Sequence, residues 1–198
     1  MQPRVHVLVF DGFADWEPAY ALAELRRSGN HEIVAVGFTT DEVVSMGGLR
    51  VRPDVALADV RAADVRLLVL PGGDMWERED AYPRAQLESV IAELLAAERP
   101  IAAICGATVA LARAGVLDDR RHTSNMPSYL RQNAAAYRGE GLYETRAAVR
   151  DRGVITASGL GAVDFAREIF DELEVFSAGD QAVWYDMFKN GRIPAGVG

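Results

Sequence analysis

Short, continuous runs of apolar residues recur along this chain, and longer stretches with apolar residues at helical spacing separate them. A continuous apolar run rich in β-branched residues is typical of a strand that is buried on both faces of a sheet. The runs predict strands at Val5–Phe10, Glu32–Phe38, Leu67–Leu70, the segment that ends at Cys105, Leu142–Val149 and Val154–Ala157.

The stretches between these runs predict helices, because their apolar residues recur on one helical face. The predicted helices are Trp16–Ser28 with a stop at Gly29, Ala85–Ala97, the alanine-rich segment from Cys105 to Gly115, Val163–Leu173 and Ala178–Asn190. A tight turn within Thr39–Pro53 predicts a small hairpin. Buried strands that alternate with helices indicate a doubly wound α/β fold, with a mostly parallel sheet covered by helices on both faces.

The composition narrows the class of protein. The chain has 198 residues, of which 49% are hydrophobic and 25% are charged, and these proportions fit one ordinary domain over residues 1–198. The formal net charge of −8 argues against nucleic acid or an anionic membrane as a partner, because both attract basic surfaces. The first apolar run, Val5–Phe10, is too short for a signal peptide or a membrane span, so we expect a cytoplasmic protein.

The single cysteine lies at the most informative junction. Cys105 ends an apolar run, Gly106 follows it, and an alanine-rich helical pattern comes next. A strand, a sharp turn and a helix in this order lift one side chain off the sheet edge and aim free N–H groups at it. We predict that Cys105 is a reactive nucleophile whose pKa is lowered by the helix. The alternative is a small, inert core cysteine.

Ligands of doubly wound proteins bind where the carboxyl ends of the parallel strands meet. This rule brings three loops together, Asp11–Glu17, Pro71–Gly73 and Cys105–Ala107. Gly72 and Gly73 allow the backbone to approach closely, and an amide there would pair with the Gly106 amide to hold a developing oxyanion. An ordinary surface loop is the alternative for Pro-Gly-Gly.

Glu17 ends the first of these loops, and two interpretations are open. A carboxylate beside a thiolate is repulsive unless one of them keeps a proton, so a partly buried Glu17 with a raised pKa would donate a hydrogen bond to Cys105. Alternatively, Glu17 is a solvated charge in the first turn of a helix, where acidic residues are favourable. Asp15 is better placed as an exposed helix cap.

Histidine offers one candidate base. His6 and His31 fall in or beside predicted strands and fit packing or surface positions. His122 lies in a polar loop after the cysteine helix and is the candidate for a Cys–His pair. The sequence has no second cysteine and no His-x-x-x-His spacing, so we predict no metal and no cofactor.

Together these residues resemble the DJ-1/PfpI superfamily, the thiol branch related to class I glutamine amidotransferase domains. The resemblance covers nearly the whole chain, at 7–13 with Glu17, 68–73, 102–108, 154–161 and 164–166. It implies a flavodoxin-like sheet, a homodimer, and Cys105 at a nucleophile elbow with Glu17 hydrogen-bonded to it. It also implies that the amides of Gly73 and Gly106 form an anion site.

Two features depart from the patterns of this superfamily. In its protease-like members a histidine follows the cysteine directly, whereas Gly106 and Ala107 follow here. In its DJ-1-like members a histidine lies in the loop after the cysteine helix. Asn125 or Met126 occupies that place here, and His122 comes a few residues early. We therefore expect neither a complete Cys–His–acid triad nor proteolysis, and Asn125 becomes a candidate for contacts with the substrate.

The superfamily includes amidase- or protease-like hydrolases, glyoxalase-type enzymes, isocyanide hydratases and stress or redox-response proteins. The Cys-Gly-Ala-Thr segment resembles its bacterial general-stress and amidotransferase-like members. The leading hypothesis is that Cys105 adds to a small carbonyl or amide substrate while Glu17 moves the proton. The alternative is a redox-sensing stress protein whose Cys105 is oxidised to sulfenic or sulfinic acid by a small oxidant. An inert scaffold is a third hypothesis.

Overall fold

The computed structural model describes residues 2–28 and 30–193, and its strands form one large sheet and one hairpin. The strands are β1 (Arg4–Leu8), β2 (Glu32–Gly37), β3 (Val43–Val44), β4 (Arg50–Val51), β5 (Val55–Ala56), β6 (Leu67–Leu70), β7 (Ile101–Ile104), β8 (Ala148–Asp151) and β9 (Val154–Ala157). The large sheet has the order β5-β2-β1-β6-β7-β9-β8. The antiparallel pair β3–β4 is the hairpin predicted within Thr39–Pro53.

Neighbouring strands of the large sheet are parallel except at one edge, where β8 pairs antiparallel with β9. The order β2-β1-β6-β7-β9 is that of flavodoxin-like folds. The chain leaves β1 towards β2 on one side and later returns to β6 on the other side. This reversal creates a switch point beyond the carboxyl ends of β1 and β6, where such folds bind ligands.

Helices cover both faces of the sheet, as the sequence predicts. They are α1 (Ala19–Arg27), α2 (Arg84–Ala96), α3 (Thr108–Arg113), α4 (Pro127–Asn133), α5 (Ala162–Leu173) and α6 (Ala178–Asn190). Alternate residues of β6 face opposite sides: Leu67 and Val69 pack into the core under α1, α5 and α6, whereas Leu68 and Leu70 pack into the core under α2, α3 and α4. All four side chains are fully buried, as a strand covered on both faces requires.

The structure corrects several element bounds. The first helix begins at Ala19 rather than Trp16, after Pro18 in its N-cap position, and the stop predicted at Gly29 lies outside the described residues. The strand predicted at Leu142–Val149 forms only over Ala148–Asp151, because the preceding polar segment runs outside the sheet. Strand β5 and helix α4 were not predicted from the pattern.

Candidate active site

Four loops meet at the carboxyl edge of the large sheet, beside the switch point. Glu17 lies in the loop after β1, Gly72 follows β6, Cys105 follows β7 and Gly159 follows β9. A Cβ built on Gly159 would lie 2.9 Å from the Cys105 sulfur and 3.3 Å from Oε1 of Glu17. The structure therefore brings Glu17, Gly72 and Cys105 together, at the edge where the sequence places them.

Cys105 has a left-handed backbone, with a φ of 57°. A non-glycine residue held in this region stores strain, which is typical of a nucleophile at a strand-to-helix turn. The half-buried thiol stands between β7 and a 3₁₀ turn at Cys105–Ala107 that leads into α3. Gly106 fits this turn because a Cβ there would lie 3.0 Å from the Gly73 carbonyl oxygen and 3.0 Å from Cδ1 of Trp76.

Glu17 is buried, with 1% of its surface exposed, and its carboxyl group faces the thiol. Oε2 of Glu17 accepts the Gly72 N–H at 2.6 Å, and the carboxyl group also shares a hydrogen bond with Cys105. Of the two interpretations of Glu17, the solvated helix-turn charge is therefore wrong. Asp15 is not a helix cap, since its carboxylate accepts the Ser45 hydroxyl at 2.5 Å and ties down the hairpin.

Glu17 and Cys105 share one proton. Burial raises the pKa of Glu17, against the opposing hydrogen bonds from Gly72 and Cys105. Burial, followed by the charge of Glu17, raises the pKa of the Cys105 thiol to about 11. Two negative charges cannot be held side by side in this buried place, so the pair keeps one proton over a wide pH range.

The predicted lowering of the thiol pKa by a helix is not what the structure shows. Helix α3 has only six residues and begins after the 3₁₀ turn at Cys105–Ala107, so few peptide dipoles align behind the sulfur. Burial and the neighbouring carboxylate act in the opposite direction and outweigh the helix. A reactive thiolate therefore depends on Glu17 holding the proton.

Asn125 also contacts the sulfur. Its Nδ2 donates to the Cys105 sulfur at 3.4 Å, and its Oδ1 accepts the Gly159 N–H at 2.9 Å. The second bond fixes the orientation of the amide, because only Oδ1 can accept from a backbone N–H. Gly159 was not predicted as a site residue, although its position just after β9 is a signal of the same kind as that for Gly72.

The N–H groups of the three predicted glycines differ in what they contact. The Gly72 N–H is occupied by Glu17 and is not available to an oxyanion, which removes Gly72 from that predicted role. The Gly106 N–H points at the Cys105 sulfur and favours its charged form. Among residues 2–28 and 30–193, the Gly73 N–H has no hydrogen-bond partner. The two glycines are close in space, since a Cβ on Gly106 would lie 3.0 Å from the Gly73 carbonyl oxygen.

His122 does not join the site, which corrects its predicted role as a catalytic partner. The ring is fully buried, and Nδ1 lies 2.7 Å from the Arg120 carbonyl oxygen. Nε2 lies 2.6 Å from the Tyr137 hydroxyl. Burial lowers the pKa of His122, so the ring is neutral, donates to Arg120 and accepts from Tyr137. Both nitrogens are thus used in holding the loop.

Tyr129 and Glu77 flank the site and were not predicted. The Tyr129 hydroxyl donates to Oε1 of Glu77 at 3.3 Å, which joins α4 to the 3₁₀ turn after Gly73. Burial, the charge of Glu77 and the nearby Cys105 raise the pKa of Tyr129. The phenol is therefore a neutral hydrogen-bond donor close to the thiol.

Two features of the described structure bear on other kinds of function. Within the described residues, no group of three or more His, Cys, Asp or Glu side chains is arranged to hold a metal ion. None of the helices in the described ranges combines the length and the apolar character that crossing a bilayer needs.

Comparison with known proteins gives the same picture. The chain is 36% identical over 201 residues to the uncharacterized protease YoaZ of Bacillus subtilis (strain 168), with 97% of this chain and 94% of the relative covered. It is 33% identical over 121 residues to the deglycase PYRAB04690 of Pyrococcus abyssi (strain GE5 / Orsay), which covers 61% of this chain and 71% of that protein.

A solved structure with the same fold is the DJ-1 superfamily protein Atu0886 from Agrobacterium tumefaciens. Its TM-score is 0.88 at 36% sequence identity, with 97% of this chain and 100% of that chain covered. The names of the sequence relatives, protease and deglycase, fit a hydrolase-like role. The profile of the DJ-1/PfpI family matches residues 3–172. The chain belongs to the DJ-1/PfpI family.

Proposed function

We propose that this protein is a cysteine-dependent enzyme that acts on small, reactive carbonyl compounds, with Cys105 as the nucleophile. The observation that carries the proposal is the arrangement around the sulfur. A buried carboxyl group, Glu17, and an oriented amide, Asn125, both hydrogen-bond to it. Such a thiol can attack a carbonyl carbon without a histidine, because the carboxyl group takes up the proton that the thiol gives up.

Burial and the charge of Glu17 favour the neutral thiol, so the reaction begins when Cys105 passes its proton to Glu17 and the sulfur takes up the negative charge. For an α-oxoaldehyde, the Cys105 sulfur forms a bond to the aldehyde carbon, and the π electrons of the carbonyl move to its oxygen. The proton of Glu17 then neutralises that oxygen. The amides of Gly73 and Gly106 stabilise the negative charge while it exists.

The second half of the reaction uses Glu17 as a base. Its carboxylate accepts the proton of the carbon bonded to sulfur and returns it to the neighbouring carbon through an enediol. The adduct is thereby converted into a thioester of an α-hydroxy acid. Water then cleaves the carbon–sulfur bond, which releases the acid and restores Cys105. The net change is the addition of one water, with no external oxidant or reductant.

Amide hydrolysis is the less suitable reaction for this site. An amine leaves only after it is protonated, and that step normally uses an imidazole close to the nucleophile. Here His122 is held by Arg120 and Tyr137, so Glu17 alone would serve both proton transfers. A carbonyl substrate without an amine to expel avoids this requirement.

Redox sensing is the second candidate function. The amide of Asn125 and the Gly106 N–H both aim donors at the sulfur of Cys105, and donors of this kind would stabilise the anion of a sulfinic acid. In this case a peroxide oxidises the sulfur stoichiometrically, in a stress-response setting, and no substrate is turned over.

Turnover of a small α-oxoaldehyde tests the proposal. The assay follows the loss of the dicarbonyl and the appearance of the α-hydroxy acid, with wild type and Cys105→Ser compared. Wild-type turnover that disappears in Cys105→Ser supports the enzyme. Stoichiometric oxidation by dilute peroxide without turnover of the aldehyde supports the sensor, and cleavage of an amide substrate at a higher rate than the aldehyde reaction contradicts the preference argued above.

We further propose that the protein works as a homodimer. Aromatic side chains remain exposed on α1 and α6, where Tyr20 contacts the Phe188 ring at 5.4 Å, with 37% and 45% of their surfaces exposed. Apolar surface of this kind is stabilised when a partner covers it. Light scattering of the purified protein gives the mass, and a monomer at micromolar concentration contradicts the proposal.

A further inference from the structure

The carbonyl group of Cys105 is held by Thr108. The Thr108 hydroxyl donates to the Cys105 carbonyl oxygen at 2.7 Å, and the Thr108 backbone N–H donates to the same oxygen. Thr108 is fully buried. These bonds fix the strained turn from the helix side, because the left-handed backbone of Cys105 directs its carbonyl back towards the first turn of α3.

The loop that carries Asn125 is held on its other sides by the end of the sheet. The Thr123 N–H donates to the Thr156 hydroxyl at 2.9 Å, and the Thr123 hydroxyl donates to the Arg146 carbonyl oxygen at 2.9 Å. Tyr143 adds a bond from its hydroxyl to the Ser124 carbonyl oxygen at 3.0 Å. The loop is thus tied to β9 and to the segment before β8.

One further pair connects this loop to the cysteine turn. The Ser124 and Thr108 hydroxyl oxygens lie 2.7 Å apart, and Ser124 is 2% exposed. Within the described part of the chain, this pair and the bond from Asn125 to the sulfur are the hydrogen bonds that join the loop to the turn.

The direction of the bond between the two hydroxyls follows from counting protons. A hydroxyl has one hydrogen to donate, and Thr108 gives its hydrogen to the Cys105 carbonyl. Ser124 must therefore donate to Thr108. The result is a directed chain, from Ser124 to Thr108 to the backbone of Cys105, that lies directly beside the residue whose amide contacts the sulfur.

We propose that the Thr108–Ser124 hydroxyl pair is a positioning device that sets the separation between the Asn125 amide and the Cys105 sulfur. The N–S distance of 3.4 Å is an ordinary length for a hydrogen bond to the larger sulfur atom, and the strength of such a bond falls as donor and acceptor separate. A loop released from Thr108 would move Asn125 away from the sulfur. The pair thereby controls the reactivity of the thiol without touching it.

Groups other than Asn125 also face the sulfur, and they must stay unchanged in any test. Glu17 faces it from the loop after β1, and Tyr129 with Glu77 lies on the side of α4. None of these residues hydrogen-bonds to Ser124 or Thr108 in the described structure. A substitution at Ser124 therefore leaves the other partners of the sulfur in place.

The test is the pH dependence of iodoacetamide alkylation of Cys105 in the intact protein, which is independent of whether the proposed carbonyl reaction takes place. We expect Ser124→Ala and Asn125→Leu each to raise the alkylation pKa by about one pH unit. In the double variant we expect no further rise beyond that of Asn125→Leu, because Ser124 acts through Asn125. Ser124→Thr and Thr108→Ser keep the hydroxyls and should retain the wild-type profile.

Thr123→Ala is the matched control, since it removes a buried hydroxyl from the same loop without breaking the link to the turn. An unchanged profile in Ser124→Ala, additive shifts in the double variant, or an equal shift in Thr123→Ala would overturn the proposal. If Ser124→Ala does not fold, as judged by its circular dichroism, Thr108→Val compared with Thr108→Ser answers the same question.

Discussion

The Gly72 N–H donates to Oε2 of Glu17 at 2.6 Å, and this one backbone bond decides how the buried carboxyl group is used. Because Oε2 is used by the backbone, Oε1 is the oxygen left to share the proton of the pair with the sulfur. The carboxyl group thus accepts from the backbone through one oxygen and shares a hydrogen bond with Cys105 through the other.

Substitution of Glu17 tests this arrangement. Glu17→Gln keeps an acceptor for Gly72 and an N–H donor for the sulfur, and it removes the charge that raises the pKa of Cys105. We therefore expect iodoacetamide alkylation at about pH 7 to be at least as fast as in wild type. Glu17→Leu removes both functions, and the pKa of Cys105 should lie about one unit or more above that of the Gln variant. Equal pH profiles for the Gln and Leu variants would remove Glu17 as the partner of the thiol.

Gly159→Ala tests how closely the site is packed. The added Cβ would lie 2.9 Å from the Cys105 sulfur, so the thiol must turn or the loop must shift. We expect alkylation at about pH 7 to slow by about tenfold, since each pKa unit is a factor of ten in thiolate. Gly141→Ala is the control, because a Cβ there meets open space. Similar rates in the two variants would show that Gly159 does not confine the sulfur.

His122→Ala separates a structural from a catalytic histidine. We expect alkylation of Cys105 to remain within about twofold of wild type. Stability should fall by about 2–4 kcal/mol, because the Arg120 carbonyl and the Tyr137 hydroxyl lose a buried partner. Urea unfolding measures the second effect. A loss of thiol reactivity with stability intact would return His122 to the site.

The same histidine predicts a pH dependence of stability. Burial lowers the pKa of His122 in the folded state, so the unfolded chain takes up the proton first as the pH falls. Its contribution is therefore present above about pH 6.5, the unfolded value, and is lost as the pH falls below it. Thermal unfolding of wild type and His122→Ala at about pH 7.5 and about pH 5 should show a smaller difference between the two proteins in acid. A constant difference would mean that the buried ring takes up its proton as readily as the unfolded chain does.

Asp164 predicts a second loss of stability, at a lower pH than that of His122. Burial opposes its ionisation, but the bonds from Lys189 at 2.6 Å and Tyr185 at 2.7 Å outweigh burial and lower the pKa of Asp164. A lowered carboxyl pKa stabilises the fold above the unfolded value of about 3.9, and this stability is lost as the pH falls through the folded value. We expect Asp164→Asn to destabilise the protein by about 2 kcal/mol at about pH 7 and to flatten the dependence below about pH 4. If calorimetry shows the same loss of stability in acid for Asp164→Asn as for wild type, the result would contradict this.

The sequence is informative about the site wherever a residue's position on a strand decides its place. Glu17, Gly72 and Cys105 follow three parallel strands, so the sheet alone brings them to one edge. The orientation of His122 could not be predicted, because it depends on Tyr137, a residue beyond α4 whose hydroxyl contacts Nε2. Gly159 was not predicted because it has no reactive group, and the lack of a side chain there leaves room for the Cys105 sulfur.

The direction of the thiol pKa shift could not be predicted either, because it depends on packing that the sequence pattern does not show. Alanine-rich spacing after Cys105 indicates a helix but does not distinguish a 3₁₀ turn from the first turn of an α-helix, and the α-helical part proved short. Burial of the sulfur and the depth of Glu17 depend on long-range packing, which periodicity does not report. A signal for α4 was present in Pro127, since proline favours the first turn of a helix.

The strand order gathers the site from distant parts of the chain, so no contiguous segment contains the complete surroundings of Cys105. Parallel pairing through long crossovers forms slowly, because each closure costs chain entropy before its contacts stabilise it. During synthesis, Cys105 leaves the ribosome before Asn125 and Gly159. The thiol therefore acquires its native pKa only after β9 has joined the sheet. The rate at which a refolding sample acquires the native pH profile of alkylation therefore reports the rate at which the sheet is completed.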